Sequence, residues 1–323
     1  MRVLRSASEL PRPLPTPIVT VGNFDGVHRG HQRILEKVRE HARARQGTAV
    51  ALTFDPHPAR VLTPDRTPPL LTTAEQKLKL LEAEGIQVAL VLPFTEMLAQ
   101  VPPRLFIKEI VCGQVGARVL CAGYSFRFGH NQAGTVELLR LLAEELDFQL
   151  EVIPPVVLAG DTATSTLIRR LVSEGEIARA ARLLGRPFAL TGPVQPGAGR
   201  GAPLGFPTLN MVPEQECLPA RGVYVTETLV EGRAYPSATN VGVRPTFDGD
   251  RLVIESHLLD FSAKVEGGRL ELRFRERLRG EQKFPSPEAL RAQIAKDIEH
   301  ARRFFDEKGK TRDRPPPRVT ATN

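Results

Sequence analysis

An α/β doubly wound, Rossmann-like domain, followed by a small β-barrel with a C-terminal helix, is the fold class predicted here from three observations. Five apolar β-type runs alternate with amphipathic helical stretches as far as about residue 185. Short runs of period two, punctuated by Gly and Pro, then replace them, and a single helical pattern follows. Strands apolar on both faces and separated by helices make a parallel sheet wrapped on two sides. A length of 323 residues suits two domains, each with its own core. The expected divisions are 1–185, 186–306 and a polar, proline-rich tail, 307–323, that reads as disordered.

The opening "MRVLRSASELPRPLPTP" has positive charge but no apolar core, unlike a secretory signal. "PIVTV" is the first strand, and the helix after it places Ile34, Leu35 and Val38 on one face at i+3 and i+4 spacing. "TAVALTF" leads to "TTAEQKLKLLEAEG", which a threonine can cap and Gly85 can end. "IQVALVLPF" leads to "PPRLFIKEIVCGQVG", "ARVLCAG" to "GTVELLRLLAEELD", and "FQLEVIPPV" to "TSTLIRRLVSEG" and "EIARAARLLG". Ligands of such a sheet lie beyond the carboxyl ends of its strands. In the second part, "FALTGPVQPG", "GVYVTETLVEG", "RAYPSATNVGV", "DRLVIESHLLDF" and "GRLELRFRERL" follow one another without helices, as in a small barrel or sandwich. Leu270, Leu272 and Phe274 alternate with charged residues, the mark of a half-buried strand. The closing helix begins with Ser286 as N-cap and Pro287 in its first turn.

Composition narrows the function. With 41% hydrophobic and 25% charged residues the chain reads as soluble and globular, and no apolar run approaches the roughly 18 residues of a membrane span. Cys112, Cys121 and Cys217 show no metal-ligand spacing and fit a reducing cytoplasm as small buried hydrophobes. The net charge of +7 suits polyanionic small molecules or an arginine-rich surface. With 6% aromatic residues and no basic run interleaved with them, nucleic acid is not an expected partner. A monomer or weak homo-oligomer is expected.

"GNFDGVHRGH" joins the first strand to its helix, where backbone amides and a helix N-terminus favour phosphate. Gly22, Gly26 and Gly30 permit close approach, while His28 and His31 add donors where charge gathers on a transferring phosphate. A capped turn with two exposed histidines, or a metal pair for which the sequence offers no evident third ligand, remains the alternative reading.

That turn, with "TSTLIRR" late in the same domain, resembles the nucleotidyltransferase superfamily, whose HxGH turn and later Ser/Thr-rich arginine segment grip ATP from two sides. "TFDPHP" and "GYSFRFGHNQAG" narrow the resemblance to the flavin adenylyltransferase domain of bacterial bifunctional riboflavin kinase/FAD synthetases. "GAGRGAPLGFPTLN", "GVY", "NVGVRPTF", "IESHLLDF" and "LRGEQKF" resemble the riboflavin kinase barrel of the same enzymes, in order. The resemblance spans roughly residues 15–305, and nine motifs in sequence across two domains are specific where each alone is not.

The resemblance implies phosphorylation of riboflavin to FMN and adenylylation of FMN to FAD, with ATP and Mg2+. It implies ATP contacts at Gly22, Phe24, Gly30, Ser165 and Thr166, with His28, His31 and Arg169 acting on the phosphates. Flavin contacts fall on Phe54, Pro56, His57, Pro58, Ser125 and Arg127. In the kinase half it implies Glu255 as catalytic base and Thr208 and Asn210 as magnesium ligands. Gly199, Arg200, Gly201, Gly205, Pro207 and Arg244 would meet ATP or flavin. Ser125 stands where the family usually has Asn or Asp, Leu209 replaces an alanine, and "KVEGGRL" lacks the usual Leu-Tyr-Gly. An adenylyltransferase for another phosphorylated metabolite, or a non-catalytic nucleic-acid-binding or regulatory protein on the same fold, is the alternative.

Overall fold

The computed structural model describes residues 1–10, 14–196, 205–246, 249–263, 265 and 267–312. Two compact units result: Met1–Arg169 with Arg182–Gly185, and Arg170–Ala181 with Arg186–Asn323.

The first unit is built on a six-stranded sheet, order β1-β4-β3-β2-β5-β6, with every neighbouring pair parallel. Its strands are β1 (Arg2–Leu4), β2 (Pro17–Val21), β3 (Thr48–Asp55), β4 (Val88–Pro93), β5 (Val119–Gly123) and β6 (Gln149–Ile153). The sequence predicts five of these. The sixth, β1, adds Arg2, Val3 and Leu4 opposite Val88, Ala89 and Leu90 at the sheet edge. Three residues are too few to carry a periodicity. All five residues of β2 are buried, because one core lies on each face of the sheet.

Helix α1 (Arg29–Ala44) buries Leu35 and Val38 against one face, joined there by Leu81 of α3 (Ala74–Ala83). Thr73 closes a capping box with Gln76 at the start of α3, and Gly85 (φ +82°) follows its end. On the way lie α2 (Pro58–Leu62), α4 (Glu96–Ala99) and α5 (Pro103–Leu105). Residues Phe106–Gln114 then wind as a π-helix, burying Phe106, Ile107 and Val111 at the wider spacing that such a turn produces. Helix α6 (Val136–Glu145), the small hairpin β7 (Val157–Leu158) and β8 (Asp161–Thr162), and helices α7 (Ser165–Glu174) and α8 (Ile177–Leu184) complete the order.

The second unit closes an antiparallel barrel, order β10-β13-β12-β11-β14-β9. Its strands are β9 (Phe188–Gln195), β10 (Leu209–Met211), β11 (Gly222–Val230), β12 (Arg233–Thr246), β13 (Gly249–Leu258) and β14 (Arg269–Arg279). Strand β10 is an addition to the sequence reading, again three residues long. Glu231 and Gly232, both at positive φ (50° and 81°), turn β11 into β12 in the two-residue hairpin that strand twist favours. Helix α9 (Pro287–Arg312) starts at Ser286, whose hydroxyl accepts from Ala289 N at 3.2 Å. It packs Ile298 and Ala301 on Val225, Ala238 and Leu259 of the barrel wall and its loop. Asp297 of this helix takes two hydrogen bonds from Arg279, at 3.0 and 2.8 Å. The helix also runs through 307–312, which composition assigns to the tail, since a helix already nucleated extends through Glu and Lys at little cost. Residues 313–323 lie outside the described residues.

The barrel interior holds a closed ring of hydroxyls. Thr226 meets Ser237 (2.8 Å) and Thr239 (2.6 Å), Thr228 meets Ser237 (2.7 Å) and Ser256 (2.8 Å), and Thr239 donates to Ser256 (2.9 Å). All five are buried. Each hydroxyl offers one proton, so the ring pairs every member with its neighbours at once. Thr239→Val keeps the shape and removes the polar group, leaving Thr226 and Ser256 each short of a partner. The expected loss is about 1–3 kcal/mol, read by urea unfolding of the full chain; an unchanged midpoint would show that the ring contributes nothing.

Candidate active sites

A cavity of about 910 Å³ opens at the carboxyl ends of β2, β5 and β6, where Val21, Gly123 and Ile153 line it. In the strand order, β2 and β5 are the neighbours from which successive connections run to opposite sides. Such a switch point is where an open α/β sheet takes its ligand.

Between β2 and α1 the backbone turns left-handed at Phe24 (φ +51°), Gly26 (+79°) and Val27 (+37°). For a buried aromatic and a buried β-branched residue this costs about 1–3 kcal/mol each and persists only if the surroundings hold it. Asp25, itself buried, is the holder. Its carboxylate accepts from Leu71 N (3.0 and 3.1 Å), Thr72 N (3.2 Å), Thr72 Oγ1 (3.2 Å) and Arg169 Nη2 (2.8 Å). Gly26 N donates to Thr72 Oγ1 at 3.2 Å, and a Cβ on Gly26 would come within 2.8 Å of Leu71 Cδ1. Ser165, at the start of α7, donates its hydroxyl to the Asp25 carbonyl at 2.9 Å. The turn and the arginine-bearing helix are thus tied through one residue.

His28 is the N-cap of α1. Its Nδ1 accepts from Gly30 N (3.1 Å) and His31 N (3.3 Å), which places its ring proton on Nε2 and makes that atom a donor. Both amides thus serve the cap. His31 stacks on His28 with ring centroids 3.7 Å apart and takes the edge of Phe24 on its other side. Burial first, and the neighbouring His28 second, push the His31 pKa well below the ordinary histidine value. His31 Nδ1 and Arg169 Nε are buried without a hydrogen-bond partner among the described residues, and both residues line the cavity. A ligand with several anionic oxygens would satisfy both.

Of the expected adenylyltransferase residues, Gly22, Phe24, His28, Gly30, His31, Ser165, Thr166 and Arg169 line this cavity. So do Phe54, His57, Pro58, Ser125 and Arg127. Pro56 is not among the lining residues; it follows Asp55 in a cis peptide bond. His57 caps α2 by accepting from Ala59 N at 3.2 Å, and burial lowers its pKa against the opposing pull of Asp25. Two residues were missed in the sequence reading. One is Asp25; an acid inside a turn otherwise suited to phosphate was the available signal. The other is Lys77, whose ammonium donates to Thr53 Oγ1 and the Phe54 carbonyl, both at 3.2 Å, and so fixes the end of β3.

In the second unit the register does the gathering. Glu255 on β13 stands opposite Asn210 of β10 and opposite Asn240 of β12. Its neighbours Ile254 and Ser256 are buried, so this row lies on the outer face of the barrel. His257, two residues on, donates from Nδ1 to the Pro207 carbonyl at 2.8 Å and meets the ring of Phe206 edge-on. That bond holds the segment carrying Thr208 against β13. Asn240 is a further member of the row that the sequence reading missed. Gly205 is exposed at φ +90°, and Arg244 stands in β12 opposite Arg251. Gly199, Arg200 and Gly201 lie outside the described residues.

Residues 12–167 match the FAD synthetase family and residues 184–305 the riboflavin kinase family. The bifunctional riboflavin kinase/FMN adenylyltransferase of Escherichia coli K12 is 34% identical over 307 residues, 94% of this chain and 98% of its own. The chain belongs to this bifunctional family. Its members from Pseudomonas fluorescens and Bacillus subtilis are 36% and 32% identical, over 88% and 89% of this chain and 92% of each relative. A crystal structure from Streptococcus pneumoniae, described as a macrolide-efflux protein, shares the fold at a TM-score of 0.85 and 28% identity, covering 93% of this chain and 98% of that one. No helix among the described residues here is long and apolar enough to cross a membrane. The kinase-family match over residues 184–305 is what an adenylyltransferase for a different metabolite would lack.

Removing the Asp25 charge tests the hub of the adenylyltransferase half. Asp25→Asn leaves Arg169 without its counter-charge and, with the amide oxygen still accepting from Leu71 and Thr72, turns the amide donor on the guanidinium. Breaking such a pair from one side costs about 3–5 kcal/mol, and FAD formation from FMN should fall with it. Unfolding curves and FAD assays on the same preparation check this; a variant of unchanged stability would remove Asp25 from that role.

Proposed function

We propose that the chain makes FAD from riboflavin in two ATP-dependent steps, one in each unit. The barrel unit phosphorylates riboflavin to FMN. The α/β unit moves AMP from ATP to the FMN phosphate and releases pyrophosphate. The observation that carries this reading is the cavity at the β2–β5 switch point, where His28, His31 and Arg169 converge, in a chain whose other half matches the riboflavin kinase family.

Adenylyl transfer has an anionic nucleophile, because a phosphate monoester is largely ionised at neutral pH. The step needs alignment and charge stabilisation rather than a strong base. His28 Nε2–H, His31 and the Arg169 guanidinium serve that purpose on the reacting and leaving phosphates. Asp25 lines the cavity, but its carboxylate is engaged by Arg169, Leu71 and Thr72. Gly22, Phe24, Gly30, Ser165 and Thr166 form the ATP side, and Phe54, His57, Pro58, Ser125 and Arg127 the flavin side, with Pro56 shaping the loop behind them.

Riboflavin phosphorylation has a neutral alcohol as nucleophile and does need a base. Glu255 takes the hydroxyl proton. The neutral side-chain oxygens of Thr208 and Asn210 suit a hard cation such as Mg2+. The Asn210 amide nitrogen donates to the Thr208 carbonyl at 3.5 Å, which identifies Oδ1 as the atom for the cation. Mg2+ held there would neutralise charge on the ATP phosphates. Gly199, Arg200, Gly201, Gly205, Pro207 and Arg244 complete the nucleotide and flavin contacts, and the protein acts as a monomer or weak homo-oligomer.

His28→Ala with His31→Ala should lower FAD formation from supplied FMN by about 10²–10³-fold and leave FMN formation from riboflavin nearly unchanged. Equal loss of both activities would point to a folding defect instead. Glu255→Gln separates the chemistries from the other side. It keeps size and hydrogen-bonding reach but accepts no proton, so FMN formation should drop by about 10²–10⁴-fold. FAD formation from supplied FMN should survive. Chromatography of both products, with each substrate offered separately, reads the outcome, and normal FMN production by Glu255→Gln would refute the base.

A further inference from the structure

We propose that His41, Cys121 and Glu151 form a binding site for a divalent cation of the zinc class, apart from the nucleotide cavity. The three come from different elements. His41 is in the last turn of α1, Cys121 in the middle of β5 and Glu151 in the middle of β6. Cys121 and Glu151 are register partners in neighbouring parallel strands. One ligand atom from each residue lies within 4.8 Å of the other two, with Cys121 buried and the other two half-buried. Ligands held tetrahedrally at zinc distances of roughly 2.0–2.3 Å stand about 3.3–3.8 Å apart, which this cluster reaches with small side-chain adjustments.

The donor set selects the ion. A thiolate, an imidazole and one carboxylate oxygen are zinc ligands, whereas Mg2+ and Ca2+ require oxygen throughout. Binding releases the Cys121 proton as the sulfur–metal bond forms. A fourth position has a candidate on the next strand. Thr20 of β2 is the register partner of Cys121, and its Oγ1 is buried with no hydrogen-bond partner among the described residues. Water is the other candidate.

His41 Nε2 faces Glu151, while its Nδ1 accepts from Arg45 Nη1 at 2.8 Å. An imidazole that ligates through Nε2 carries its proton on Nδ1, so the Arg45 contact must open on binding. Arg45 retains its hydrogen bond to Gln149, at 2.6 Å. This arginine therefore opposes the ion, by its charge and by its hydrogen bond. The site joins α1, which begins with the histidine turn, to two strands that reach the cavity two residues later, at Gly123 and Ile153.

The test is Co2+ titration of the full chain, stripped with chelator and kept under reductant without oxygen. One equivalent should bind with a thiolate-to-cobalt charge-transfer band that Zn2+ abolishes. Co2+ at an oxygen site such as that of Thr208 and Asn210 gives no such band, so the two are distinguished. Cys121→Ser should remove the band, while Cys112→Ser and Cys217→Ser keep it. Glu151→Gln and His41→Gln should each weaken binding at least about tenfold, and Arg45→Ala should strengthen it. Absence of the band in the unaltered chain, or its survival in Cys121→Ser, overturns the proposal. If Cys121→Ser does not fold, unchanged affinity in both Glu151→Gln and His41→Gln overturns it equally.

Discussion

The α/β unit depends on one buried carboxylate. Asp25 sits between two residues and ahead of a third that adopt left-handed backbone, two of them bulky. A turn of that shape has no reason to persist in isolation. It persists because four donor groups from two distant parts of the chain converge on one carboxylate, and the same carboxylate fixes the Arg169 guanidinium at the cavity. Backbone strain and the placement of the arginine therefore form a single constraint. The cost of burying Asp25 is offset by complete pairing, and it is also what makes the turn specific.

The two units position their candidate site residues by different means. In the α/β unit the groups come from loops at one end of a parallel sheet, and hydrogen bonds to side chains set their geometry. In the barrel they come from the outer faces of paired strands, so register alone sets Asn210, Glu255 and Asn240 in a row. Loop-built sites move as their supports move; a register-built row cannot shift by one residue without turning every member into the barrel. The difference suits the tasks. On the proposed reading, one site accommodates a large dinucleotide product and the other brings a base to one hydroxyl.

Much of this was legible in the sequence, for identifiable reasons. Parallel strands buried on both faces leave long apolar runs, and the alternation at Leu270, Leu272 and Phe274 reports a one-sided strand directly. The strands β1 and β10 left no such trace, because three residues span less than two periods. Asp25 escaped notice because its partners lie 46 and 144 positions away, and nothing local shows that an acid will be paired. The cysteine cluster escaped for the same reason. Its ligands are separated in sequence and meet only through the register of β5 with β6 and the last turn of α1. Reading Cys121 as a small buried hydrophobe was the most that spacing allowed.

The ring of hydroxyls inside the barrel bears on how such a sequence can drift. Any one member changed to an aliphatic residue strands its neighbours, yet exchanging neighbours together for aliphatic residues of like shape removes demand and supply at once and can be nearly neutral. Thr226, Thr228, Ser237, Thr239 and Ser256 should therefore vary across relatives as a correlated set. Some lineages would keep the whole ring and others would replace it with a dry core, with few intermediates. The outer row carrying Glu255 shares strands β12 and β13 with the ring, in alternate positions and under a separate selection. Those two strands thus carry two interleaved histories, each read at every second position.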